Sequence, residues 1–447
     1  MMPGKMLKDI ENNFFISLRE MKKIIADFHS EMRKGLSGRK SSLKMIPTYA
    51  KRPRGSEKGI FLALDLGGTN FRVFMLELKG NRKIASLVSR KFVLKKRHIT
   101  RSGKELFDFI AGCIKKFLKE RKKEIGAEYN IGFTFSFPVK QKSINSGVLI
   151  RWTKGFMASG VEGEDIVVLL NKSLRTNGLS GARVVGLAND TVSTLVARSY
   201  EDPDCDIGVI LGTGTNACYC EKPSMITKLK STKNFPDDMI INIEWGNFDK
   251  LPVTAYDADL DKHSENRNEQ VLEKMVSGMY LGEVARIVIK DLICRKEIFP
   301  GTKAAAFDMR NAFKSEYMSL VEGDSSKGLS AIGNILKGLG IPKTSLEDRK
   351  KIKEICSSVS TRAARISATA MAAVITKRDP ALREKHTIAI DGSVYEKHPH
   401  FSSGVRSSLI EIFGKSAKNI KITLTKDASG KGAAVIAASN YNVKSVD

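Results

Sequence analysis

The amino-acid sequence predicts an α/β protein built from two related halves that face one another across a cleft. Residues 60–72, Ile-Phe-Leu-Ala-Leu-Asp-Leu-Gly-Gly-Thr-Asn-Phe-Arg, run from an apolar stretch into a polar, glycine-rich turn. Ile207-Gly-Val-Ile-Leu-Gly-Thr-Gly-Thr-Asn216 repeats that plan, and Thr387-Ile-Ala-Ile-Asp-Gly-Ser393 is a looser third copy. Each apolar run has strand length and no helical period. Glycine directly after the strand lets the backbone bend and bring bare N–H groups close to an anion. One strand ending in Gly-Gly is more often a plain turn. Repetition in a single chain argues instead for phosphate turns, with a nucleotide held between the halves.

In the first turn, Asp65 at the strand end is placed to hold a magnesium ion through water, while Thr69, Asn70 and Arg72 add donors on the same lip. The chain of 447 residues exceeds what one hydrophobic core usually serves, so two domains are expected. An apolar content of 42% is ordinary for a globular protein. No stretch reaches the roughly 18 uninterrupted apolar residues of a membrane span. The opening Met-Met-Pro-Gly-Lys-Met-Leu-Lys-Asp lacks the apolar core of a signal peptide, so the cytosol is the expected compartment. Cysteines at 113, 205, 218, 220, 294 and 356 are too scattered for a disulfide framework and are expected as free thiols. No second Cys/His pair follows Cys218-Tyr-Cys220 at finger-like spacing, so no zinc site is expected there.

The net charge of +26 is unusual, and half of it lies in residues 79–123, with 16 Lys/Arg against 3 Asp/Glu. Such a segment can meet nucleic acid or an anionic membrane in a salt-sensitive way. A solvated face of a lysine-rich protein is the blander account. No nucleic-acid module accompanies the segment, and neither a nucleic-acid nor a membrane partner is assigned.

Taken in order, residues 5–34 read as one helix, with Leu7, Ile10, Phe14, Phe15, Leu18, Met21, Ile24, Ile25, Phe28 and Met32 on its apolar stripe. A basic loop from Lys34 to Ser56 leads into the first strand. Residues 71–78, 84–94 and 129–137 read as strands and Glu105–Lys123 as an amphipathic helix. A short strand around Arg183 to Gly186 ends in Asn189-Asp190-Thr191, from which a helix runs on through Arg198. Asp190 thus stands at a helix N-terminus, where partial positive charge favours a carboxylate. After the second glycine turn come a hairpin-like stretch to Gly246, a polar loop to Gln270, and a long amphipathic helix over Leu272–Ile293. Short helices follow in 301–340, then an alanine-rich helix over Lys351–Ile375. Gly430 to Ala438 reads as a helix opening on glycines that crosses back to the first half.

Residues 132–156, Gly-Phe-Thr-Phe-Ser-Phe-Pro-Val-Lys-Gln-Lys-Ser-Ile-Asn-Ser-Gly-Val-Leu-Ile-Arg-Trp-Thr-Lys-Gly-Phe, resemble the sugar-binding signature of the hexokinase family. Six further motifs fall in that family's order. They are the turn at 64–72, Asn-Asp-Thr at 189–191, Leu-Gly-Thr-Gly-Thr-Asn-Ala-Cys-Tyr at 211–219, Asn-Ile-Glu-Trp-Gly at 242–246, Glu-Lys-Met-Val-Ser-Gly-Met-Tyr-Leu-Gly-Glu at 273–283, and Asp-Gly-Ser-Val-Tyr at 391–395. The similarity runs from about residue 47 to 438.

This resemblance implies the actin-like ATPase fold, also called ribonuclease H-like, with two lobes closing over a hexose and MgATP. The implied small lobe is 55–188 plus a C-terminal helix at about 430–447; the large lobe is 1–54 and 189–429. Ser136, Thr153, Lys154, Asn189, Asp190, Asn216, Glu244 and Glu273 would form the sugar site, bordered by Gln270. Carboxylates and amide oxygens accept from sugar hydroxyls while amides, hydroxyls and Lys154 donate, the mixture an uncharged polyol needs. Asp190 takes the position of the catalytic base, and Lys154 would stabilise charge on the transferred phosphoryl group. Gly67, Gly68, Thr69, Asn70, Arg72, Gly212, Thr213 and Gly214 match the phosphate turns and Asp65 the metal side, with magnesium carried by ATP. Thr361, Gly392 and Ser393 match regions near the adenosine.

Three departures from the family pattern bear on affinity: Arg267-Asn268 where Pro-Gly is usual, Asn-Phe-Asp-Lys at 247–250, and Ala428 where glycine is common. Glucose or a related hexose and ATP are the expected partners. The rival expectation is a hexokinase-like sugar sensor, or a basic docking protein, that has lost turnover.

Overall fold

The computed structural model describes residues 10–67, 70–229, 238–302 and 304–441. Two sheets organise it. The first has five strands in the order Ile84–Val93, Asn70–Lys79, Lys58–Leu66, Tyr129–Phe135, Ala182–Ala188. Its first two pairings are antiparallel and its last two parallel. The second runs Met239–Asn242, Thr215–Glu221, Cys205–Leu211, His386–Asp391, Ile420–Leu424, with Ile46–Pro47 added at its edge. Leaving that edge aside, strand order and direction repeat those of the first sheet. The two halves expected from the repeated turns are therefore present as duplicated sheets.

Two helices fill the space between the sheets. Asp190–Glu201 packs on the second sheet and Ala428–Tyr441 on the first, and they lie against each other. Glycine makes this approach possible. A Cβ at Gly132 would stand 1.8 Å from the Ala433 carbonyl oxygen, and one at Gly432 would stand 1.9 Å from that of Ser193. The C-terminal helix does cross back to the first sheet, as its sequence suggested. Four buried alanines, Ala433, Ala434, Ala437 and Ala438, keep the helix slender, while Ile436 packs against Gly186.

Three expectations are corrected. The helix expected over 5–34 is broken at 15–17, between helical residues 10–14 and Leu18–Leu36. Ser17 opens the second piece: its hydroxyl accepts the Glu20 N–H, and the Glu20 carboxylate takes the Ser17 N–H at 2.8 Å. Such a capping box outcompetes an apolar stripe that reads straight through, a cap being worth about 1 kcal/mol. The helix expected over Leu272–Ile293 is instead two, Val271–Val276 and Leu281–Cys294. At the break, Gly278 N–H donates to the Gly212 carbonyl at 2.8 Å and Met279 N–H to that of Thr213 at 3.1 Å. Those donors leave the helix to brace the second glycine turn. Finally, the polar loop before Gln270 contains the helix Ala255–Lys262, capped by Thr254 and Asp257. Asp257 lies buried under Arg362 at 2.7 and 2.8 Å. A run rich in charge concealed a helix that packs through this ion pair together with Leu260 and Tyr256.

Candidate functional site

A cleft of about 2140 Å³ is lined by residues of both sheets and their loops. From the sequence-derived set it gathers Gly67, Ser136, Thr153, Lys154, Asn189, Asp190, Gly212, Thr213, Gly214, Asn216, Glu244, Gln270, Glu273, Gly392 and Ser393. Gly68 and Thr69 lie outside the described residues.

Asn189 and Asp190 stand where the strand Ala182–Ala188 turns into a helix. The Asn189 amide oxygen accepts the Val192 N–H at 2.9 Å as the N-cap, and Asp190 is the first helical residue, accepting the Thr191 N–H at 2.8 Å. Capping by Asn189 leaves the Asp190 carboxylate at the positive end of the helix, directed to the cleft. Lys154, in left-handed backbone (φ 57°), donates from Nζ to the Ser136 carbonyl at 2.8 Å and sits 5.4 Å over the Phe137 ring. This ties the 151–156 loop to the strand end that carries Ser136.

Across the cleft, Asn216 Nδ2 donates to Glu244 Oε1 at 3.0 Å and to Asn242 Oδ1 at 2.9 Å. Asn242 Nδ2 closes the triangle on the same Glu244 oxygen at 2.9 Å. Glu244 is also left-handed (φ 57°), and its Oε2 lies 3.8 Å from Lys44 Nζ. Glu273 Oε2 accepts the Thr215 N–H at 2.9 Å. Burial pushes the Glu273 carboxyl above its usual range; the Thr215 N–H opposes this and the neighbouring Glu244 adds to it.

Beside the first glycine turn, Arg72 donates to Asp65 Oδ2 through Nη2 at 2.7 Å and Nε at 3.0 Å, and its Nη1 reaches Asp427 Oδ1 at 3.1 Å. Asp65 Oδ1 faces Gly67. Burial raises the Asp65 carboxyl, with Arg72 pulling against the shift and Asp190 reinforcing it. Asp391 is likewise raised by burial, against a 2.7 Å hydrogen bond from the Gly392 N–H. The Asp190 carboxylate thus lies near enough to Asp65, Glu273 and Asp391 to make each of those three harder to ionise. A magnesium-bound polyphosphate fits such a setting: Asp65 Oδ1, the oxygen Arg72 does not take, lies toward Gly67, and Gly212, Thr213 and Gly214 of the second turn line the cleft. Among the described residues no three His, Cys, Asp or Glu side chains form a metal-holding group.

Thr361 is not brought to the cleft. It is exposed on the helix Leu346–Arg378, beside Arg362, which is buried in the Asp257 ion pair and lies 4.4 Å over the Phe14 ring. That turn of the helix meets the N-terminal segment instead. Asp65 and Arg72 stand behind Gly67, coupled to each other; Asn70 opens the next strand. Residues the sequence reading passed over include Lys44, Asn242, Asp391 and Asp427. It also missed a wall made by Arg286, Lys290, Arg310 and Asn311. Asn242 and Asp391 lay inside quoted motifs, whereas the Arg310 wall offered no repeated pattern.

Duplicated sheets, a glycine turn from each, and a helix N-terminus between them define a member of the actin-like ATPase class, with a polyol-type polar set in the cleft. Comparison with known proteins makes this specific. Two hexokinase family models match, one over residues 6–200 and the other over 206–439. Hexokinase-7 of Oryza sativa subsp. japonica is 40% identical over 93% of this chain and 93% of its own. Hexokinase-1 of Arabidopsis thaliana is 40% identical over 97% of this chain and 90% of its own. Hexokinase-3 of Rattus norvegicus is 39% identical over 97% of this chain, which spans 47% of that longer protein. In structure the chain is similar to the hexokinase from Schistosoma mansoni complexed with glucose, with a TM-score of 0.86 and 35% identity over 98% of this chain and 100% of that one. The chain belongs to the hexokinase family.

Proposed function

We propose that this protein transfers the γ-phosphoryl group of MgATP to the 6-hydroxyl of glucose or a related hexose, with Asp190 as general base. One observation carries the proposal: the cleft gathers, between two glycine turns, a set of donors and acceptors suited to an uncharged polyol, with a helix-terminal carboxylate among them. The glucose of the Schistosoma mansoni complex supports the same ligand class.

Ser136, Thr153, Asn189, Asn216, Glu244 and Glu273 bind and orient the sugar, and Asn242 holds the Asn216 amide and the Glu244 carboxylate in register. Asp190 accepts the proton of the 6-hydroxyl as that oxygen attacks the phosphorus in line. Lys154 lies against the Ser136 carbonyl, close enough in the same cleft to meet negative charge developing on the transferred group. Magnesium bound with ATP supplies charge neutralisation of the phosphates. Gly67, Gly68, Thr69, Asn70, Arg72, Gly212, Thr213 and Gly214 receive those phosphates. Gly392 and Ser393 line the adenosine end together with the Arg286 to Asn311 wall.

In this account the small lobe is 55–188 with the C-terminal helix, and the large lobe is 1–54 with 189–429. Helix Ala428–Tyr441 lying on the first sheet supports that division. A cytosolic setting belongs to the same proposal; among the described residues no helix is long and apolar enough to cross a membrane. A coupled assay with glucose and MgATP tests the activity directly. Hexose binding without turnover would favour the sensor instead.

A further inference from the structure

Lys228 holds an unusual position behind the sugar end of the cleft. Its Nζ donates to three backbone carbonyls, those of Gly35 at 3.0 Å, Lys44 at 3.1 Å and Met45 at 2.5 Å. Its own N–H donates to the Leu36 carbonyl at 3.0 Å. Among the described residues no carboxylate lies within ion-pair distance of it. Gly35 and Leu36 close the helix Leu18–Leu36, so the ammonium also meets the negative end of that helix. Burial pushes the amine down to about 8, a cost accepted at a place where only carbonyl oxygens compensate it.

What those donors fix is the path of residues 37–45. Met45 is left-handed (φ 48°), its N–H donates to Ile243 at 3.2 Å, and Ile46 then pairs with Asn242. Gly35 has no room for a side chain: a Cβ there would meet the Leu43 carbonyl oxygen at 2.4 Å. The next residue back, Lys44, lines the cleft with its Nζ 3.8 Å from Glu244 Oε2, the oxygen that neither Asn216 nor Asn242 uses. We infer that Lys228 is a positioning residue for the sugar site, clamping the 37–45 loop so that Lys44 bears on the second oxygen of Glu244. The inference rests on the hexose-binding role given to Glu244 above.

The test compares the full-length parent with Lys228→Met, Lys44→Met and the double variant. Lys228→Met is expected to raise the glucose KM about tenfold, with kcat and the KM for MgATP within threefold of the parent. Lys44→Met is expected to act in the same direction, and the double variant to be no worse than the stronger single. Hydrogen exchange should quicken at amides 41–46 in Lys228→Met alone, since Lys44→Met leaves the three carbonyl contacts in place. An unchanged glucose KM in a folded Lys228→Met protein, or additive losses in the double variant, overturns the inference while leaving the activity proposal standing. A parent without glucose phosphorylation overturns the activity proposal instead. In that event calorimetric glucose binding and the exchange rates decide the inference, and unchanged values in Lys228→Met reject it.

Discussion

The Glu273 carboxylate accepts the backbone N–H of Thr215 at 2.9 Å, joining a proposed sugar contact to the first residue after the second glycine turn. Gly214 must lack a side chain for this, since a Cβ there would stand 2.9 Å from Glu273 Oε2. The same carboxyl is raised by burial. A carboxyl whose folded-state pKa exceeds its unfolded value costs stability when ionised, and that cost fades as pH falls through the raised pKa. Glu273→Gln is therefore expected to unfold at a higher temperature than the parent at pH 8, with the gap narrowing toward pH 4. Its glucose KM is expected to rise about 10- to 100-fold, since hydrogen bonds to a charged group are worth about 1.5–3 kcal/mol. Thermal melts across that pH range check the sign, and a variant less stable than the parent at pH 8 refutes it.

Asp190→Ala separates chemistry from binding. Asn189 remains to cap the helix, so the fold should persist. Turnover is expected to fall by about 10²- to 10⁴-fold, the range of a general base, while glucose affinity stays within a few-fold. Single-turnover kinetics beside calorimetry give the two numbers, and near-normal turnover would remove Asp190 from the base position.

Arg72 bridges Asp65 and Asp427, and Asp65 depends on it. Arg72→Met leaves the Asp65 carboxylate partly buried without its cation, which is expected to cost about 1–3 kcal/mol in urea unfolding. Adding Asp65→Asn should restore part of that loss, because the uncompensated charge is then gone. Both proteins should bind MgATP more weakly. Equal stability of the single and double variants would show that the pair is not coupled.

The sequence conveyed the glycine-ended strands and the Asn189-Asp190 helix start because each is spelled by a few adjacent residues, and the family resemblance pointed to polar residues that the fold gathers in one cleft. It missed what distant residues decide. Ser277 to Tyr280 looks helical locally, and only the carbonyls of Gly212 and Thr213 show why the helix stops there. Thr361 was taken from the family resemblance alone, and the long Leu346–Arg378 helix leaves it exposed away from the cleft lining. Asp427 and Lys44 reach Arg72 and Glu244 only through the fold, with 355 and 200 residues of separation that no local pattern spans. The capping box at Ser17 and Glu20 was readable and was passed over in favour of the longer apolar stripe.

Glucose is expected to draw the two halves together. Its proposed contacts come from both, Ser136, Thr153 and Lys154 on one wall and Asn216, Glu244 and Glu273 on the other, so a closed cleft gains contacts an open one lacks. Small-angle scattering should give a smaller radius of gyration at saturating glucose. An unchanged curve, with binding verified in the same sample, contradicts closure.

The basic segment poses the last question. Lys95, Lys96, Lys122 and Lys123 are all exposed and lie outside the cleft lining. Among the described residues none of the four is within ion-pair distance of a carboxylate, so reversing them to Glu removes no ion pair that the fold uses. If the segment only solvates the protein, kcat and the glucose KM should stay within twofold of the parent, and this is the expected outcome. MgATP carries net negative charge, so its kcat/KM is the parameter most exposed to the altered field, and any loss should shrink as salt rises past a Debye length of about 8 Å. Sedimentation with anionic vesicles or RNA at physiological salt completes the test. A parent that cosediments while the fourfold variant does not would assign the segment to a partner rather than to solvent.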